Sequence, residues 1–382
     1  MKKKLVCINQ STGYLMIDIV NAFAPHYDEV VLLCGEVRVQ DVQLDPKVKI
    51  RKIGKTSRVS HTRRFFAWSY ATIQIFFLLL FRYRKYEILY YSLPPTAYLC
   101  SMLLPNKFYL IMVDVYPDVL KMLNIHEKNI IYRIWASCNR KLFKKAHRLY
   151  TIGDLLAKLM AKYTPREKIH VVPLWTGLTN VHPVPKLQNP FAIQHNIQDK
   201  FIVQYSGNIG ATHDIEEMIE MAKLLKDQKD IVFLIIGRGL KFPLVNRLIK
   251  EYELGNCIVL PFQPDDIIRY SIACADISYV LLEEKVADVS LPSKVYNILA
   301  VGSSILSISP DGSQISELIK SYNVGANFPK GQTQQMADYI LRLKNSPALQ
   351  QEYNANAIAA AKNHTSENAK QFVGIALNEN IA

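Results

Sequence analysis

A chain of 382 residues that is 49% hydrophobic and 21% charged, with 15 Gly and 18 Pro, excludes a disordered, collagen-like or disulfide-stapled protein and leaves room for two domains with separate cores. The net charge of +13 is uneven: residues 1–180 carry 28 Lys and Arg against 12 Asp and Glu, a balance of +16, while residues 181–382 carry 18 against 21, a balance of −3. The first half therefore calls for an anionic partner, whether nucleic acid, an acidic membrane surface or a phosphorylated lipid.

In chain order, a basic tip is followed by the short apolar run 5–8, which reads as a first strand rather than a signal peptide. A turn at Ser11-Thr12-Gly13, a helix to about Phe23 and an apolar strand at 30–34 follow. Residues 65–81 hold no charge and are bracketed by Arg63, Arg64, Arg82, Arg84 and Lys85. At 1.5 Å per residue they reach about 26 Å, short of the roughly 30 Å hydrocarbon core, so a buried helix covering the sheet, an interfacial helix and a span all remain open. Further strands are expected at 88–91, 109–113 and 148–152.

Pro173, Pro183, Pro185 and Pro190 mark a linker, giving domains over 1–182 and 190–364, with a last helix in 365–382 returning to the first domain. The second domain opens with a strand at 201–205, the loop Ser206 to Gly210, and a helix presenting Ile215, Met218, Ile219, Ala222 and Leu225 on one face. Strands at 231–236, 257–260, 277–281 and 304–308 follow. Alternating apolar strands and helices imply an α/β chain with parallel sheets covered on both faces. The six cysteines are scattered through apolar runs without a C-x-x-C pair, as buried thiols in a reducing compartment.

Three clusters carry chemistry. Gly207 and Gly210 allow backbone approach to a ligand, with Asn208 between them and a helix N-terminus expected just beyond. Ser290-Leu291-Pro292-Ser293-Lys294 starts a second helix, with Ser290 and Ser293 expected to bind its free backbone N–H groups; its first turn holds a cation, an arrangement best explained by an anion between Lys294 and the helix dipole. Gly237-Arg238-Gly239 makes a further turn at a strand's C-terminal end, where open α/β sheets place ligands. Arg238 is equally well a solvated turn residue.

These motifs, with Leu260-Pro261-Phe262-Gln263-Pro264, Ala275-Asp276 and the run from Leu291 to Gly302, stand in an order and spacing that resemble the retaining, nucleotide-sugar-dependent glycosyltransferases of the GT-B fold, family four. The resemblance is densest from Tyr205 to Gly325 and is especially to bacterial surface-polysaccharide enzymes. It implies two Rossmann-like domains facing across a cleft, and sugar transfer from a UDP- or GDP-linked donor to a lipid-linked or glycan acceptor with retention. It places Gly207, Asn208, Gly210, Phe262, Ser290, Leu291, Pro292, Ser293 and Asn297 around the donor, and Lys294 and Arg238 at its diphosphate. In the first domain the match rests on Asp114-Val115-Tyr116-Pro117-Asp118 and makes Asp114 an acceptor-side residue; an N-capping role for Asp114 is the other reading. Many members carry two Glu where this chain has Val289 and Asn297, so ribose contact here would be uncharged.

No Asp-x-Asp pair is present to hold a divalent ion, and metal-independent transfer without a cofactor is expected. The +16 balance and residues 65–81 fit an acceptor sugar on a polyprenyl diphosphate and a cytoplasmic protein peripheral on the inner face of the plasma membrane. Nucleic acid fits poorly, because the basic residues are dispersed and no recognition motif accompanies them. A binding-only subunit and a sugar-nucleotide epimerase of the same fold are the alternatives.

Overall fold

The computed structural model describes every residue except 1, 40–41, 58–59, 179, 211–213, 283–291 and 380–382, and the side chains of His61 and Asp265. The chain divides into two compact units, Met1–Gly177 with Thr365–Ala382, and Leu178–His364. The change of unit falls at Gly177, ahead of the expected residue 182.

The first unit contains β1 (Lys4–Ile8), β2 (Ser11–Thr12), β3 (Glu29–Cys34), β4 (Glu36–Val37), β5 (Val48–Lys52), β6 (Glu87–Tyr91), β7 (Phe108–Met112), β8 (Arg148–Thr151) and β9 (Ile169–Val171). Seven of these form a parallel sheet in the order β5-β3-β1-β6-β7-β8-β9, and β2 pairs with β4 as a small ribbon. The central strands read as unbroken apolar runs because helices cover both faces. Leu5, Val6, Cys7 and Ile8 are all fully buried.

The helix Asn368–Leu377 completes this unit. Phe372 meets the Tyr150 ring at 5.0 Å, Tyr150 Oη donates to the Phe372 carbonyl at 2.9 Å, and Arg148 Nε donates to the Ile375 carbonyl at 2.8 Å. Trp175, fully buried, donates through Nε1 to Asp18 at 2.7 Å.

Residues 65–81 are not a buried helix. They lie in the helix His61–Phe77 and its π-helical continuation Leu78–Arg82, where Ala71, Ile75 and Leu79 are buried while Phe65, Phe66, Tyr70, Ile73, Phe77 and Phe81 are each more than half exposed. Thr62–Arg82 has the length and composition of a membrane span. One face is nevertheless committed to the protein: Gln74 accepts from the Gly54 amide at 2.7 Å, and the Thr72 and Thr96 hydroxyls share a hydrogen bond of 2.6 Å. The segment lies along the unit with a row of aromatic and aliphatic side chains outward.

In the second unit, β10 (Phe201–Asn208), β11 (Ile231–Arg238), β12 (Cys257–Leu260), β13 (Ile277–Leu281), β14 (Ser304–Ile308) and β15 (Gly325–Phe328) form a parallel sheet in the order β12-β11-β10-β13-β14-β15. The strand order reverses direction between β10 and β13, the position where a doubly wound sheet opens a crevice at its carboxyl edge. Ile215, Met218, Ile219, Ala222 and Leu225 all pack into the core on one side of this sheet. Asp276 acts at the opposite edge: its carboxylate accepts from the Ile202 amide at 2.8 Å, pairs with Lys186 at 2.6 Å and accepts from Gln350 at 2.7 Å. The Ala-Asp motif is therefore an anchor for the start of β10.

Candidate functional site

The apolar runs of β10 and β11 end at Tyr205 and Ile236, yet their pairing continues through Gly207 with Gly237 and Asn208 with Arg238. Glycine makes this possible. A Cβ on Gly237 would stand 2.1 Å from the Gly207 carbonyl oxygen, and one on Gly239, whose φ is +148°, would stand 2.3 Å from the Ile209 carbonyl oxygen. The turn is locked by Ile209 N–H to the Arg238 carbonyl at 2.8 Å and by Tyr205 Oη to the Asn208 carbonyl at 2.7 Å.

Over this turn sits Lys294, the first residue of the helix Lys294–Ala300. Its ammonium lies 4.3 Å from the Tyr205 ring centroid and donates to the Ser206 carbonyl at 3.4 Å. The side chain thus bridges from the element after β13 to the end of β10, across the point where strand order reverses. Desolvation lowers the Lys294 pKa to about 8, and among the described residues no carboxylate offsets it. A desolvated cation whose described partners are a ring face and a carbonyl is an incomplete ion pair, and an anion would complete it.

Arg238 is exposed and extends over the Phe262 ring, with its guanidinium carbon 5.0 Å from the centroid. Gly207, Asn208, Arg238, Phe262 and Lys294 are therefore brought to the carboxyl ends of neighbouring strands, with Gly210 just beyond. Pro292 and Ser293 immediately precede Lys294; Asn297 lies one turn further along the same helix, half-buried. Ser290 and Leu291, like Val289, fall outside the described residues. Asp114 belongs to the first unit, at the end of β7, where its amide donates to Ser92 Oγ at 3.3 Å and desolvation raises its carboxyl pKa.

Three local expectations are corrected. The helix after Gly210 starts at Glu216, not directly beyond the loop, and its first turn holds Glu216 and Glu217. These carboxylates already occupy the positive end of the dipole, with Glu216 paired to Lys241 at 2.7 Å. Ser293 is the N-cap of the Lys294 helix in αR geometry, and its side chain makes no capping bond. Asp114 caps nothing: Pro117 precedes the 3₁₀ segment Asp118–Leu123, and the buried carboxylate is that of Asp118, which accepts from Tyr132 Oη at 2.8 Å and from Tyr163 Oη.

Tyr205 is the site residue that sequence reasoning passed over. It supports the Lys294 ammonium with its ring and the Asn208 carbonyl with its hydroxyl. The only sequence signal was an aromatic two positions before the first glycine of a strand-end turn.

Residues 188–363 match the model of the family Glycosyl transferases group 1. The chain is 28% identical over 225 residues to "Probable glycosyltransferase WbjE" of Pseudomonas aeruginosa, covering 58% of this chain and 56% of that one. It is 27% identical over 174 residues to "Putative colanic acid biosynthesis glycosyl transferase WcaI" of Escherichia coli (strain K12), covering 44% and 42%. The chain thus spans about half the length of the curated relatives it matches. The solved structure of Anabaena Alr3699/HepE in complex with UDP and glucose superimposes with a TM-score of 0.71 over 98% of this chain and 99% of that one, at 13% identity. The fold is GT-B, with two Rossmann-like domains.

Proposed function

We propose that this chain is a glycosyltransferase of bacterial surface-polysaccharide biosynthesis that transfers a sugar, with retention and without a metal, from a nucleotide-diphosphate donor to a lipid-linked or glycan acceptor. The observation that carries the reading is the desolvated Lys294 ammonium poised over the Gly207 turn, with no acidic partner among the described residues. Cleaving a sugar–phosphate bond leaves negative charge on the departing diphosphate, and a preorganised cation in a desolvated site stabilises that charge more in the transition state than in the ground state. Arg238 supplies a second cation from the neighbouring strand end, and the glycine turn lets the backbone approach the phosphates. The match to a glycosyltransferase family over the second unit supports the same assignment.

On this reading Asn208, Gly210, Phe262, Pro292, Ser293 and Asn297 surround the nucleotide-sugar, UDP- or GDP-linked, and Asp114 serves the acceptor. The cationic first unit and its outward aromatic row suit a polyprenyl-diphosphate acceptor at an anionic membrane, with the protein peripheral on the cytoplasmic face.

A thermal-shift screen of nucleoside diphosphate sugars, followed by product analysis with and without lipid-linked acceptor, tests the proposal. Sugar transfer that needs acceptor supports it; donor conversion without acceptor would indicate an epimerase, and donor binding without any product a binding subunit. Transfer is expected to persist in excess chelator, and activity that vanishes and returns with Mg²⁺ would contradict the metal-independent step.

The pH dependence has a definite sign. Because Lys294 is lowered to about 8, the ammonium that holds diphosphate is present below that value, and donor affinity falls as pH rises through it, approaching tenfold per unit in the alkaline limit. The free protein behaves oppositely. Its folded lysine releases its proton before the unfolded one does, so this residue's contribution to stability rises between about pH 8 and the ordinary lysine range near 10.4. Donor affinity that is flat from pH 7 to 9.5 would remove Lys294 from the diphosphate site.

A further inference from the structure

The first unit carries a basic groove that donor chemistry leaves unused. The helix Ile130–Lys145 sets Arg133, Ser137 and Arg140 at i, i+4 and i+7, on one helical face. With Lys162 and Tyr163 opposite, they wall a groove of about 640 Å³. Its acidic groups are already committed: Asp118 is held by Tyr132 and Tyr163 and lies 3.3 Å from Lys162, and Glu127 pairs with Lys121 at 2.8 Å. Among the described residues, neither Arg133 nor Arg140 has a carboxylate partner. Two guanidinium groups with uncompensated charge on one wall suit the oxygens of a phosphate.

The apolar residues of the same groove indicate where that phosphate comes from. Ile130 and Ile134 line it while 64% and 58% exposed, and Ile131 beside them is 53% exposed. A free phosphate would leave these side chains in water. A phospholipid brings acyl chains to cover them, and cations beside exposed aliphatics on one helix are the composition of an interfacial element. This helix and the helix His61–Phe77 both pack on the 3₁₀ segment Ala97–Met102, and Tyr116 links them, with its ring 6.2 Å from Trp68 and stacked at 5.3 Å on Trp135. The two helices are neighbours.

We infer that the groove of Arg133, Arg140 and Lys162 binds the phosphate of an anionic phospholipid, forming a charge-reading contact beside the aromatic row of residues 65–81. The inference rests on the reading of the first unit as membrane-facing, and it names the lipid class and the residues that select it.

Co-sedimentation of the full chain with phosphatidylcholine vesicles, with and without phosphatidylglycerol, tests it. The exposed double variant Arg133→Ala/Arg140→Ala should bind phosphatidylglycerol vesicles roughly tenfold to thirtyfold more weakly than the unaltered chain, with little change on phosphatidylcholine alone. Phe77→Ser/Phe81→Ser should weaken binding to both. Inorganic phosphate at fixed ionic strength should not displace the protein. An arginine variant that sediments like the unaltered chain overturns the groove while leaving the membrane reading intact; displacement by inorganic phosphate reassigns the groove to a soluble anion. If the unaltered chain ignores every vesicle, both readings fall. An unchanged nucleotide-sugar thermal shift in the variants shows that they are folded.

Discussion

Lys294→Ala is expected to abolish the thermal stabilisation that nucleotide-sugars give the chain and to lower transfer by about 10² to 10³-fold, the range for removing one preorganised electrostatic contact to a developing negative charge. The argument lies in what the ammonium lacks. It is desolvated, among the described residues it has a ring face and a carbonyl but no carboxylate, and its pKa is pulled down to about 8. Such a cation does not stabilise the free protein at neutral pH, because its desolvation outweighs the attraction to Tyr205. The ligand-free variant should therefore be no less stable than the parent. Equal losses of ligand-free stability and donor response would assign Lys294 a structural role instead. Lys294→Met, which keeps the apolar stem, should lose the donor response just as fully.

Gly237→Ala should damage both fold and site. The added Cβ would meet the Gly207 carbonyl oxygen at 2.1 Å, and that oxygen belongs to paired backbone, not to a flexible side chain. Forcing the strand ends apart is expected to cost about 2 to 3 kcal/mol, lowering the melting temperature of the unit by roughly 4 to 10 °C. Separating them also displaces Asn208 and Arg238, so donor binding should fall even at temperatures where the variant is folded. Gly255→Ala provides the contrast: a Cβ there meets nothing within 4 Å, and the change should be close to neutral. A Gly237→Ala protein with parental stability and donor response would contradict the close approach of the two strand ends.

Most strands legible in the sequence are central ones buried on both faces, where an unbroken apolar run leaves no alternative; the half-buried edge strand β12 was legible because Cys257-Ile258-Val259-Leu260 is itself such a run. β5, Val48-Lys49-Ile50-Arg51-Lys52, escaped because it is an edge strand, mostly exposed and rich in cations; β9 and β15 are short edges with few apolar residues. The extension of β10 and β11 through their glycines was hidden for a different reason: glycine marks a turn locally, and only pairing between two distant segments converts it into strand. The helix containing Met218 and Ile219 was readable from its period, but its start was not, since Asp214, Glu216 and Glu217 offer several capping positions.

The site shows the same division. The glycine turn and the cation at the helix start could be seen separately, each from its local motif. That Lys294 rests on Tyr205 depends on strand order, which sequence spacing does not encode. Residues 65–81 make the converse point: composition reports that they are apolar, whereas the direction they face follows from Gln74, Thr72 and the buried line of Ala71, Ile75 and Leu79 holding the opposite side to the protein.

The most direct test is a crystal of this chain soaked with UDP or GDP. The diphosphate should lie against the Gly207 turn with an oxygen at about 3 Å from Lys294 Nζ. Electron density for the nucleotide at any other place on the second unit, with Lys294 still resting on Tyr205 alone, would contradict the assignment.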